Sequence, residues 1–254
     1  MLDPNQSTYK KAVFREYTDS TFRELKTRPD AWMHLGILGP LLRAEVGDTI
    51  EVVFRNHATR PYSLHPHGLF YRKDAEGFAY LDGTTGADRA DDSIPPHGTH
   101  TYSWPVPERA GPAEGEGSSA FWVYHSHVDE GRDINAGLIG PIIITRRGMA
   151  RPDGTPTDVD REFVIDFGYF DEPLSWYWEA NVTRIYGDPT KYLGGSDRVT
   201  DVRVHEFHHL PTINGFLEGN GPMMTSIESL ASVNSEEQWL LHRATGVPDS
   251  SSNW

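Results

Sequence analysis

From about residue 10 to residue 147 the chain is cut into short β-like runs by glycine, proline and aspartate. That punctuation limits what the chain can fold into. The runs at 12–17, 49–54, 99–104, 121–124 and 138–144 are each four to seven residues long and rich in β-branched and aromatic types. Short strands broken by turn residues suit an antiparallel sandwich or barrel, and helical periodicity is scarce here. The expected class is all-β. A polar stretch at 148–160, rich in proline and glycine, reads as a linker, and a new strand is expected from Glu162 to Gly168. The expected organisation is therefore a first domain at 1–147, a linker at 148–160, and a second, partial domain with a divergent tail at 161–254. The aromatic cluster Trp176, Tyr177, Trp178 reads as a core or interdomain plug.

Composition narrows the chemistry. The 254 residues contain no cysteine, which excludes disulfide frameworks, thiolate zinc, cysteine nucleophiles and any copper centre that needs a thiolate. The 12 histidines are left as the main soft ligands. With 23 Lys and Arg against 37 Asp and Glu, the net charge of −14 argues against a phosphate-binding or nucleic-acid surface. No apolar run is long enough to span a membrane, and the first residues lack the basic and apolar regions of a signal peptide.

Two histidine pairs stand out: His65-Pro-His67-Gly68 and His125-Ser-His127, the second ending a strand-like run. In extended chain, residues two apart share a face with Cα atoms roughly 6.5–7 Å apart, which serves two neighbouring metals better than it chelates one. Gly68 leaves room for backbone to pass close to a ligand. Pro66 places the first pair at a sheet edge or bulge. A metal site of nitrogen donors follows, open to copper, zinc, iron or nickel.

Leu64-His-Pro-His-Gly68, Tyr124-His-Ser-His-Val-Asp129 and Gly137-Leu-Ile-Gly-Pro141 together resemble the first domain of multicopper oxidases, in the ceruloplasmin and hephaestin branch. The resemblance runs over residues 9–222, through Leu38-Gly-Pro40, Glu45-Val-Gly-Asp48, Arg89-Ala-Asp-Asp92 and Ile213-Asn-Gly-Phe216. It implies a cupredoxin-like Greek-key β-sandwich, one complete domain followed by an incomplete second. It also implies half of a trinuclear copper cluster, with His65 on the type 2 copper and His67, His125 and His127 on the type 3 pair. The remaining ligands, in His-x-x-His-x-His and His-Cys-His segments, belong to a C-terminal cupredoxin domain in the full-length protein or to another subunit. The implied partners are that domain, O2, and a metal-ion or phenolic electron donor; the implied location is extracytoplasmic. The isolated chain is expected to be incompetent as an oxidase, and a truncated or frame-disrupted gene is the favoured account of its length. A copper-holding module and an interaction scaffold like the A domains of clotting cofactors are the other readings.

Asp82, Asp88, Asp91 and Asp92 lie in a glycine-containing loop that offers hard oxygen donors for calcium, or is simply a solvated acidic turn. The resemblance adds a calcium site there, matched best by Asp91 and Asp92, with Asp88 standing where the family has an amide. His205, His208 and His209 read as surface histidines in a variable connection. Asn181-Val-Thr183 and Asn5-Gln-Ser7 fit glycosylation sequons.

Overall fold

The computed structural model describes residues 8–188, 209–216 and 237–241. Ten strands and two short α-helices occur among them, and the all-β, cupredoxin-like class holds. The strands are β1 (Thr8–Ala12), β2 (Leu42–Glu45), β3 (Thr49–Arg55), β4 (His65–Pro66), β5 (Thr99–Pro105), β6 (Ser119–His125), β7 (Ile139–Thr145), β8 (Phe167–Asp171), β9 (His209–Ile213) and β10 (Glu237–Leu241). The helices are α1 (Glu130–Ala136) and α2 (Trp178–Tyr186).

One sheet has the order β2-β7-β6-β4, with β2 parallel to β7 and the other pairs antiparallel. β3 and β5 pair antiparallel over their full lengths, from Thr49 opposite Pro105 to Arg55 opposite Thr99. Alternation explains both strands: Ile50, Val52 and Phe54 turn to the core, as do Tyr102 and Trp104, while their neighbours face solvent. Trp104 and Tyr102 are fully buried, and each finds a backbone partner for its polar tip. The Trp104 indole donates to the Ala75 carbonyl (2.8 Å) and the Tyr102 hydroxyl to the Asp91 carbonyl (2.9 Å).

β7 breaks the alternation because both of its faces are covered. Ile142 and Ile144 point into the main core, and Ile143 packs outward under Leu35, Leu38 and Val164. That explains why its sequence is a continuous apolar run. Gly140 and Gly39 make room for Tyr124: a Cβ at either would come within 2.5 Å of that ring or its hydroxyl.

Four features differ from the sequence reading. The first strand lies upstream of 12–17, at β1, and the strand expected from Glu162 begins only at Phe167. α2 begins at Trp178, the last residue of the aromatic cluster, in which Tyr177 and Trp178 are buried. The tail contributes β10, which pairs with β1 in the register Thr8 to Leu241. Apart from these four, the stretch at 148–160, expected as a linker, carries internal hydrogen bonds: the Arg151 guanidinium donates to the carbonyls of Pro156, Thr157 and Val159, the last two at 3.1 Å. Among the described residues no helix is long and apolar enough to cross a membrane.

Candidate metal centre

β4 is a two-residue edge strand beside β6, as Pro66 predicts, and its register sets His65 opposite His125. Each pair continues two residues on, so the four imidazoles gather at one end of the sheet. Ring centroids lie 5.3 Å apart for His65 and His67, 5.2 Å for His125 and His127, 5.6 Å for His65 and His125, and 5.1 Å for His65 and His127. His65 and His125 are buried, His127 half-buried and His67 exposed, so the cluster opens to the surface on one side.

Hydrogen bonds fix the tautomers. His65 Nδ1 lies 2.7 Å from the Glu76 carbonyl, and His125 Nδ1 lies 3.0 Å from that of Ser126. A carbonyl only accepts, so each Nδ1 carries the proton and each Nε2 keeps its lone pair, as a metal ligand requires. His67 Nε2 sits 2.8 Å from His125 Nε2, so one proton bridges two donor nitrogens where a cation would replace it. Burial pushes the pKa of His125 down to about 4 and lowers that of His65, against the pull of the carbonyl each ring faces. Both are neutral, ligating forms at neutral pH. This donor set fits copper. Among the described residues no three His, Asp or Glu side chains already close around one point. The imidazoles stand side by side instead.

The walls are aromatic. Phe78 packs on His127 with centroids 4.0 Å apart, and Tyr71 approaches His65 at 5.5 Å. The Glu130 carboxylate lies 3.8 Å from His125 Nε2 and 3.6 Å from His127 Nε2. Gly68 has a cause that the sequence did not show: its φ is +76° and an added Cβ would fall 2.2 Å from the Trp122 ring. Trp122 and the turn both demand glycine there.

The acidic loop is less gathered. Asp91 is fully buried; one carboxylate oxygen accepts the Gly77 N–H at 2.6 Å and the other has no hydrogen-bond partner. Asp92 is buried and bonded to Arg89 at 2.9 Å, whereas Asp88 is exposed in the short 3-10 helix Gly86–Arg89. Asp82 is held by Lys73 at 2.9 Å. His205 and His208 lie outside the described residues, as does Asn5. His209 stands in β9 opposite Asp171. Asn181 is buried with its amide tied to the Lys10 backbone, so that sequon is closed to modification in this fold.

A supporting set of residues escaped sequence reading. Asp133 accepts hydrogen bonds from Ser126, Val128 and Asp129, and Ser63 joins the two histidine strands. Their spacing carries no metal-site signature; Ser126, between two candidate ligands, was the only hint.

Four imidazoles, two at the ends of paired strands and two just beyond them, gather on a cupredoxin-like scaffold. The sequence profile described as multicopper oxidase matches residues 16–148, and the chain belongs to that family. It is 45% identical over 221 residues to hephaestin of Mus musculus, covering 86% of this chain and 18% of that protein. It is 47% identical over 222 residues to ferroxidase HEPHL1 of Homo sapiens, with the same two coverages of 86% and 18%. Coagulation factor V of Pseudonaja textilis is 45% identical over 210 residues, covering 83% of this chain and 14% of that one. Among solved structures, Lac15 from a marine microbial metagenome is 28% identical over 48% of this chain and 26% of its own, with a TM-score of 0.34. The chain thus spans under a fifth of the length of these curated relatives.

Proposed function

We propose that this chain is the copper-ligating N-terminal portion of a multicopper oxidase of ferroxidase or laccase type, acting outside the cytoplasm. The carrying observation is the cluster of His65, His67, His125 and His127, with Nε2 of His65 and His125 left unprotonated because backbone carbonyls face their Nδ1 atoms. In this reading His65 serves the type 2 copper, and His67, His125 and His127 serve the type 3 pair. The two strands hold donors for more than one metal, while the rest of each coordination sphere comes from a C-terminal cupredoxin domain or another subunit. Residues 1–147 form the complete domain, 148–160 the linker and 161–254 the partial second domain.

Copper, when bound, supplies one-electron redox chemistry for the reduction of O2 to water with electrons from a metal-ion or phenolic donor. The chain's own contribution is to orient the imidazoles, hold His65 and His125 neutral by burial, and line one side with Phe78 and Tyr71. With no cysteine, the chain cannot build the thiolate centre through which electrons enter, so alone it holds copper without turnover. Calcium at Asp91 and Asp92, with Asp88, is proposed as a second site, supported by the unpartnered buried oxygen of Asp91. The similarity to coagulation factor V favours an interaction scaffold as the competing reading, and a copper-holding module is the third.

Loading the full chain with Cu²⁺ and counting bound metal, with EPR and O2 uptake in the presence of Fe²⁺, tests this. Bound copper without a blue thiolate band or sustained O2 uptake is expected, and His125→Ala with His127→Ala should remove most of it. Unchanged occupancy in that double variant would overturn the ligand assignment; copper-free chain would favour the scaffold.

A further inference from the structure

We propose that Asp133 is a positioning residue of the histidine cluster: it holds the turn from His125 to Asp129, while Trp176 holds Asp133. This rests on the copper reading for its effect on metal, and on hydrogen bonds alone for its effect on the turn. One carboxylate oxygen of Asp133 accepts three donors, Ser126 Oγ at 2.6 Å and the backbone N–H groups of Val128 and Asp129 at 3.1 Å. The other accepts the Trp176 indole N–H at 2.8 Å. Asp133 is fully buried, in the first turn of α1 just beyond the turn it binds. A carboxylate taking four donors is a rigid, charge-assisted node.

The network reaches the first histidine pair too. Ser126 Oγ accepts the Ser63 N–H at 3.1 Å, and Ser63 Oγ accepts the His127 N–H at 3.0 Å while donating to the Gly77 carbonyl at 2.7 Å. Ser63 lies two residues before His65, so both histidine segments are cross-linked by these two buried hydroxyls. At the other end, both Arg60 and Arg132 approach the Trp176 indole, each guanidinium 4.5 Å from the ring centroid. The segment after 160 therefore reaches the histidine turn through one indole and one carboxylate, and its seating helps set the imidazole geometry.

Asp133→Asn keeps the shape but sets an amide N–H against a donor. Ser126→Ala removes one hydroxyl, and Trp176→Phe removes one N–H while keeping a ring. Asp158→Asn is the control: Asp158 also anchors a serine, accepting from Ser118 beside the start of β6, far along that strand from the histidines. Each full-length variant is titrated with Cu²⁺ against a competing chelator, its EPR spectrum is recorded, and amide exchange across 125–129 is followed without metal. Asp133→Asn is expected to bind copper about ten- to a hundredfold more weakly, with altered copper hyperfine splitting and faster exchange. Ser126→Ala and Trp176→Phe should follow in the same direction more weakly, and Asp158→Asn should lower the melting temperature with copper affinity and spectrum unchanged. Unchanged exchange and unchanged copper binding in Asp133→Asn overturn the inference; should that variant not fold, the same result in Ser126→Ala and Trp176→Phe overturns it. A parent chain that binds no copper, with exchange still faster in the variants, overturns the copper reading and leaves Asp133 as the anchor of the turn.

Discussion

At the scale of single residues, two rings of the histidine cluster, His65 and His125, are each held by a backbone carbonyl, an atom that can only accept a proton. The carbonyl at His125 Nδ1 sets the tautomer, and burial lowers the pKa to about 4, well under the ordinary 6.5. The unfolded chain takes up a proton near pH 6.5, whereas the fold resists until about pH 4. Stability is therefore lost as pH falls through that window, by about 3 kcal/mol at most from this residue. Denaturant unfolding of the metal-free chain at pH 7 and at pH 4.5 should show this fall, and His125→Asn should have a shallower one. An equal pH slope in the two proteins would remove burial of His125 as the cause. The four ligand candidates were legible as residues because the period of a strand is two, and any His-x-His on a strand shares a face. Asp133 was not legible: its partners are backbone N–H groups and a distant indole, and neither leaves a pattern in one sequence.

At the scale of elements, what could be read depended on how many faces of a strand are buried. β3 and β5 bury one face, so alternation marks them; β7 buries two, so a plain apolar run marks it. The upstream shift of β1 and the presence of α2 and β10 follow from pairing and packing with distant chain, which local propensity does not carry. β7 gives the sharpest test of the layers. Ile142 and Ile143 are neighbours in sequence but pack into different clusters, one under Trp104 and Tyr102 and the other under Leu35, Leu38 and Val164. Both Ile142→Ala and Ile143→Ala should lose about 2–5 kcal/mol in urea unfolding, as deletion of buried isoleucine does. Phe121→Ala on β6, where the ring is 53% exposed, should cost under about 1 kcal/mol. A small effect at Ile143 would mean that the outer cluster does not form in solution.

At the scale of the molecule, residues 162–188 and 209–216 are bound to the first sandwich by specific ties. Arg43 makes a two-pronged pair with Glu162, at 3.1 and 2.6 Å, and the hydroxyls of Tyr62 and Tyr177 meet at 3.0 Å. Asn214 does most. Its amide donates to the carbonyls of His34 (2.6 Å) and Val164 (2.9 Å) and accepts the Asp166 N–H (2.7 Å), and its own carbonyl accepts the Ile37 N–H at 3.1 Å. Gly36 permits this approach, since a Cβ there would fall 2.3 Å from the Asn214 carbonyl. Asn214→Ala leaves the backbone bond but strands three backbone groups of two neighbouring segments, at about 1–3 kcal/mol for each group that water does not reach. Because those groups belong to both parts of the chain, the loss falls on the junction and not on either core. A calorimetric scan of the parent chain should show one cooperative transition, and Asn214→Ala should lower it or divide it in two. A variant that melts with the parent, in one transition at the same temperature, would show that the two parts do not need Asn214 to stay together. Trp176, whose indole reaches Asp133 across the same junction, would then be the tie to examine by the same scan.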